Sequence, residues 1–298
     1  MTNMQAPTPV RRLGIAASRF YPGVYPDDAH LMQCLRDMHI DPIQASWNDP
    51  EVDWARFDAI LIRTTWDYFR HYEQFLQWLQ RIEQLGVLTI NPVPLLRWNS
   101  DKRYLLELPA HAVEIIPTRV VHGRDLQAAL GTMAGEHVVI KPTVSGTAWH
   151  TVRGVVATPE LNAAVSNLPP QMDYLIQPFM REIERDGEIS MLFFGDEFSH
   201  AVRKRPATND YRVQSEFGGS VEVIHPDANL LASAHRALRS VSKVGYPGGS
   251  YARIDGVLSN GRFLIMEVEM IEPALYFEGN VAASRRFAEV IVQQILAK

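Results

Sequence analysis

From Arg12 onward the chain alternates short apolar runs with amphipathic ones. LGIAAS predicts a strand, DDAHLMQCLRDM a helix, IDPIQASW a strand and FDAILIRTT a buried strand. The helix YEQFLQWLQRIEQLG and the strand VLTINP follow. A switch between the two-residue and the 3.6-residue period, repeated in this way, predicts a parallel sheet with helices on its faces. Past Ser100 the pattern changes: a helix SDKRYLLELPA, a strand EIIPTRVV, a helix RDLQAALGTMAG and a strand HVVIKP form an α+β unit, after which strands dominate. Residues 1–10 carry no apolar pattern and read as a tail.

Composition narrows the function. The chain has 298 residues, with 29 basic and 34 acidic side chains and a net charge of -5, so no basic surplus is available for nucleic acid or an anionic membrane. No run approaches the ~18 apolar residues of a membrane span. The single cysteine, Cys34, sits in a helical apolar pattern, which excludes a disulfide framework and fits a reducing cytoplasm.

The densest chemistry lies between Tyr251 and Pro273, YARIDGVLSNGRFLIMEVEMIEP, which reads as a β-hairpin. Asn260-Gly261 suggests a two-residue turn, yet that register sets Ile254 against Glu267 and Ala252 against Glu269. A three-residue loop, Ser259 to Gly261, is expected instead, with Ala252 opposite Val268, Ile254 opposite Met266 and Gly256 opposite Leu264. One face then carries Arg253, Asp255, Glu267 and Glu269, and three converging carboxylates suit Mg²⁺ or Mn²⁺. The competing reading is a solvated face in which Arg253 pairs with Glu267.

Three other segments carry candidate chemistry. Lys141 ends an apolar strand before TVSGTAWHTVRG, where Ser145 and Gly146 sit in a small-residue loop that could cradle phosphate. YLIQPF ends a strand before Glu188, and Gln177 and Phe179 there could form a hinge beside a flat base. HAVRKRPATNDYRVQSEFGG clusters Arg203, Lys204, Arg205 and Arg212. Strand alternation sends Arg203 and Arg205 to one face and Lys204 to the other. After the third strand, Arg63, Thr64, Thr65, Trp66 and Asp67 lie where parallel sheets bind ligands, although helix capping would use the same residue types.

The order of lysine, strand-end lysine with its loop, hinge with an acid, basic strand and acidic hairpin resembles the ATP-grasp superfamily over nearly the whole chain. WNSDKRYLLEL, QPF, SHAVRKRP and IEPALYF resemble in particular the cycloserine-type group of its carboxylate-amine ligase branch, a branch that includes prokaryotic glutathione synthetases. The resemblance implies an ATP-grasp fold of α/β and α+β parts: a Rossmann-like domain over 1–100, a small subdomain over 101–172 and a C-terminal subdomain over 173–298. It implies that Lys102 and Lys141, with Ser145 and Gly146, hold ATP phosphates. Gln177, Phe179 and Ile183 would flank adenine, Glu188 would hold ribose, and Asp255, Glu267 and Glu269 would hold Mg²⁺ or Mn²⁺. Arg212 and Lys204 would serve catalysis. Thr64, Thr65, Asp67, Arg203 and Arg205 would bind a small amino-acid-like substrate. The implied reaction is ring closure of O-ureido-D-serine through an acyl phosphate. The alternatives are an intermolecular carboxylate-amine ligase and a nucleotide-binding regulator, with monomer and homodimer both open. Two departures stand out: Glu269 replaces the Asn of many relatives, and the phosphate loop is poorer in glycine.

Overall fold

A computed structural model describes residues 10–20, 23–207 and 218–298. The chain divides into two compact units, residues 1–93, 248–251 and 271–298 forming one and residues 94–247 and 252–270 the other.

The first unit is built on the expected parallel sheet. Strands β1 (Arg11–Ala17), β2 (Ile40–Ser46), β3 (Ala59–Thr64) and β4 (Leu88–Ile90) lie in the order β2-β1-β3-β4, every pair parallel. Helix α1 (Ala29–Asp37) packs beside the C-terminal helix, and α2 (Tyr72–Leu85) sends Phe75 and Trp78 into an aromatic group with Trp47 and Trp54. Gly86, left-handed at φ 65°, ends α2, a position where a side chain would strain the backbone.

Side chains of the first segment bind backbone of the other two. Asn91, fully buried, donates to the Tyr251 carbonyl (3.0 Å) and accepts from the Ser250 amide (2.5 Å). The Tyr251 hydroxyl donates to the Ile271 carbonyl at 2.6 Å. Arg63 makes a two-pronged ion pair with Asp28 (3.0 and 2.9 Å) and donates to the Pro273 carbonyl, all three groups away from water. Residues 271–298 group by contact with residues 1–93, whereas the sequence reading set them with 173–270. The expected boundary at 100 also shifts, to 93.

The second unit opens with α3 (Val93–Asn99) and holds two sheets. The smaller contains β5 (Arg119–His122), β6 (His137–Pro142), β7 (Val152–Val155) and β8 (Asp173–Pro178) in the order β5-β8-β6-β7, closed by α4 (Leu126–Leu130) and α5 (Pro159–Ser166). Strand β8 pairs with both β5 and β6, so the expected division at 172 would cut a strand out of the middle of this sheet. After α6 (Arg181–Asp186), the larger sheet runs β11-β10-β9-β12-β13. Its strands are β9 (Glu188–Phe194), β10 (Glu197–Arg205), β11 (Ser220–Ile224), β12 (Tyr251–Ser259) and β13 (Arg262–Glu269). Helix α7 (Ala228–Lys243) packs against it, and α8 (Val281–Ala297) closes the chain in the first unit.

Two segments depart from their expected structure. SDKRYLLELPA forms two 3-10 turns, Lys102–Leu106 and Leu108–His111, instead of one helix; Pro109 has no amide to continue the ladder and Ala112 turns left-handed. Of EIIPTRVV only residues 119–121 join a strand, β5, which runs one residue further to His122, because Pro117 interrupts the segment and Ile115 bridges to Ile265 instead. No described helix is long and apolar enough to cross a membrane.

Candidate active site

The hairpin register differs from the expected one. Ser259 pairs with Arg262, leaving the two-residue turn Asn260-Gly261 with both residues at positive φ (50° and 75°), the signature of a type I′ turn. The register then shifts by one between Asp255 and Gly256, so that β13 accommodates an extra residue, Met266. That bulge removes the objection to the short turn: it sets Asp255 directly opposite Glu267, Arg253 opposite Glu269 and Ile254 opposite Val268. Glycine at 256 is required, since a Cβ there would meet the Leu264 carbonyl oxygen at 2.6 Å.

The three carboxylates converge as expected: Asp255, Glu267 and Glu269 each offer an oxygen, all within 4.8 Å of one another. Asp255 accepts from Ser190 Oγ (2.5 Å) on β9 and from Arg253 Nε (3.0 Å). Arg253 also bonds Glu269. Glu267 accepts from Lys141 Nζ at 3.0 Å, with Lys102 Nζ at 4.0 Å. Lys204 bonds Glu188 and lies 3.7 Å from Asp255. Four carboxylates thus face four cations in two sets, Glu267 with Lys102 and Lys141, and Glu188, Asp255 and Glu269 with Lys204 and Arg253; the sets meet where the three acids converge, which lets so many charges share a low-dielectric site.

Electrostatics separates the acids. Burial pushes Glu267 up, but Lys102 and Lys141 outweigh it and bring its carboxyl down to about 2. For Asp255 burial is likewise overcome, by Arg253 and Lys204, and its carboxyl is lowered. Glu269 goes the other way: burial raises it, and the neighbouring Asp255 and Glu267 add to the rise against Arg253. Burial also raises Glu188, opposed by Lys204. An all-oxygen set of three converging carboxylates fits a divalent cation, which would favour the ionised form of Glu269 that burial opposes.

The phosphate-loop candidates join the same group. Lys102 donates through Nζ to the Ser145 carbonyl (2.6 Å) and through its amide to the Thr143 carbonyl (2.8 Å). Ser145 is buried and donates to the Pro142 carbonyl, and Gly146 follows in the loop. Thr147, Ala148 and His150 all take positive φ, which costs non-glycine residues ~1 kcal/mol or more each. The sequence hid this left-handed run because none of the three is a glycine.

The other candidates scatter. Gln177 is buried and donates to Thr118 Oγ1 (2.8 Å). Phe179 stacks on His137, ring centroids 4.3 Å apart, with the Arg153 guanidinium 5.0 Å from its centroid. Ile183 packs with Met180 and Met266 against Ile116, Val257 and Leu264, an apolar wall that only the fold assembles. Alternation along β10 turns Lys204 to the acids, while Arg203 and Arg205 pair with Glu222 on the other side (3.3 and 3.5 Å). The two arginines are therefore not brought to the carboxylates. Arg212 lies outside the described residues. In the first unit Thr64 lines a small surface depression with Tyr25 and Gln44. Asp67 accepts from Trp47 Nε1 (2.7 Å), while its Oδ2 and the Thr65 hydroxyl are buried without a protein partner. Arg253, Ser190, Asn99 and Tyr104 escaped the sequence reading, which treated Arg253 only as a competitor for Glu267.

Comparison with known proteins bears on the fold. The family described as the N-terminal domain of D-cycloserine synthetase matches residues 13–91. The cycloserine biosynthesis protein DcsG of Streptomyces lavendulae is 28% identical over 284 residues, covering 89% of this chain and 92% of that protein. The crystal structure of D-cycloserine synthetase superposes with a TM-score of 0.83 at 27% identity, covering 95% of this chain and 99% of the other. The ATP-grasp ligase PsnB, solved with a precursor variant, Mg and ADP, superposes at 0.65 and 13% identity over 97% of this chain and 100% of its own. The chain has the ATP-grasp fold. Within the ATP-grasp fold, its likeness to D-cycloserine synthetase runs through both units.

Proposed function

We propose that this ATP-grasp chain is an ATP-dependent, ADP-forming carboxylate-amine ligase, and that it closes O-ureido-D-serine to D-cycloserine. The observation that carries the reading is the convergence of Lys102 and Lys141 on Glu267 beside Asp255 and Glu269. Asp255, Glu267 and Glu269 would hold a divalent cation, which when bound supplies charge neutralisation on the phosphates. Lys102 and Lys141 bind the phosphate oxygens, and the strained loop after Ser145 turns its backbone toward them. Arg253 holds Asp255 and Glu269 at fixed separation. The wall of Met180, Ile183 and Met266 receives the base. Arg212 neutralises the transferred phosphoryl group, and Thr64 contributes to substrate recognition.

In the reaction the substrate carboxylate attacks the terminal phosphorus of ATP, giving an acyl phosphate and ADP. The ureido nitrogen bonded to the side-chain oxygen then attacks the acyl carbon and phosphate departs. The carbamoyl group leaves that nitrogen with water, as carbamate. No protein nucleophile takes part; the residues position reactants and offset charge. The test is ADP release across small amino-acid derivatives, alone and with added amines. ADP formed with O-ureido-D-serine alone, together with D-cycloserine, is expected. Release that requires a second amino acid would replace ring closure by intermolecular ligation.

A further inference from the structure

Strand β13 is the edge of its sheet, and it carries Glu267 and Glu269. Its outward backbone groups would be left for water or another strand, a liability in any edge. Here they are met one after another by a single stretch of chain. Near the turn, the Ile265 amide donates to the Glu114 carbonyl (2.9 Å) and the Ile265 carbonyl accepts from the Ile116 amide (3.1 Å). Beyond the bulge, side chains take over from backbone. The Val268 amide donates to the Tyr104 hydroxyl (2.8 Å) and the Val268 carbonyl accepts from Asn99 Nδ2 (2.6 Å). The Met270 amide donates to Asn99 Oδ1 (2.8 Å). The primary amide of Asn99 thus offers a donor and an acceptor to one edge, as a paired strand would. Asn99 and Tyr104 are both buried.

The placement matters because of what lies on either side. Val268 separates the two glutamates, and Lys102 lies between Asn99 and Tyr104. That lysine reaches both Glu267 and the Ser145 carbonyl of the phosphate loop. The same short segment therefore grips the backbone under the acids and delivers a cation to them.

We propose that Asn99 and Tyr104 are positioning residues that act as a substitute strand on β13. They set the separation of Lys102 from Glu267 and Glu269 at which a metal-nucleotide complex binds. The inference rests on the functional reading above. Unlike a plain edge cap, this clasp links the affinity of the acid cluster to the integrity of three hydrogen bonds remote from solvent.

The experiment measures Mn²⁺ binding by electron paramagnetic resonance, with and without ATP, on the wild-type chain, Tyr104→Phe and Asn99→Asp. Amide exchange at Val268 and Met270 and thermal melting are recorded on the same samples. Tyr104→Phe keeps the ring against Trp98 and removes only the hydroxyl. Asn99→Asp keeps an acceptor for Met270 and removes the donor to Val268. Each variant is expected to bind Mn²⁺ in the presence of ATP about tenfold or more weakly, the usual effect of losing a group that orients metal ligands. Faster exchange at Val268 should accompany the loss in Tyr104→Phe. If a folded variant melts lower yet binds Mn²⁺ and ATP with wild-type affinity, the two residues are a structural edge cap and the proposal fails. If one variant does not fold, the other decides by the same criterion. Failure of the wild-type chain itself to bind Mn²⁺ with ATP would overturn the nucleotide-site reading, and the clasp's positioning role with it.

Discussion

Replacing Glu267 by Gln removes one charge and keeps the shape, which makes it the cleanest perturbation of the acid cluster. In the folded chain the carboxyl is lowered from 4.5 to about 2 because Lys102 and Lys141 outweigh its burial. A shift of that size corresponds to roughly 3 kcal/mol of differential stabilisation. Since the folded value is the lower one, the contribution is complete above pH 4.5 and drains away as pH falls toward 2. Glu267→Gln should therefore be less stable at neutral pH, because two lysines face an uncharged amide. It should also lack the part of acid destabilisation that Glu267 causes between those limits. For catalysis, loss of a carboxylate proposed to hold the cation should cost about 4 kcal/mol of transition-state stabilisation, roughly a thousandfold in turnover. The assays are denaturant unfolding from pH 7 to pH 2.5 and ADP release by the folded variant. Near-wild-type ADP release would refute the assigned role, and an acid profile identical to wild type would refute the electrostatics.

Other substitutions probe separate parts of the structure. Lys141→Ala removes the 3.0 Å partner of Glu267 and should weaken ATP binding by about 2 kcal/mol, roughly thirtyfold, in calorimetry. Gly256→Ala places a methyl 2.6 Å from the Leu264 carbonyl oxygen and should cost about 2 kcal/mol, read as a lowered melting temperature. Asp28→Ala strands the buried Arg63 guanidinium and should cost about 3–5 kcal/mol, whereas Asp28→Leu combined with Arg63→Met should recover much of that loss.

The sequence made the first sheet legible because its strands and helices carry clean periods and short connections. It also made the acid cluster legible, since Asp255, Glu267 and Glu269 alternate with core residues. The turn was misread for a physical reason: a bulge at Met266 changes the facing side midway along β13, and no local pattern announces a bulge. The fate of residues 271–298 was hidden because it depends on Asn91, Arg63 and Tyr251 finding backbone partners far along the chain. Arg203 and Arg205 read as candidates by charge alone, yet the alternation already visible in the sequence separates them from Lys204. The Asn99 and Tyr104 clasp was invisible because buried polar residues reveal their partners only in three dimensions.

The central claim, that a substrate carboxylate is activated by ATP, is tested most directly by trapping. The enzyme is incubated with ATP, Mg²⁺, O-ureido-D-serine and hydroxylamine, and the acyl hydroxamate is measured by mass spectrometry beside ADP. Hydroxamate that depends on ATP and falls sharply in Glu267→Gln is the predicted result. D-cycloserine and ADP formed at full rate with no hydroxamate at any hydroxylamine concentration would contradict a free acyl phosphate. Absence of ADP altogether would contradict the ligase assignment for this substrate.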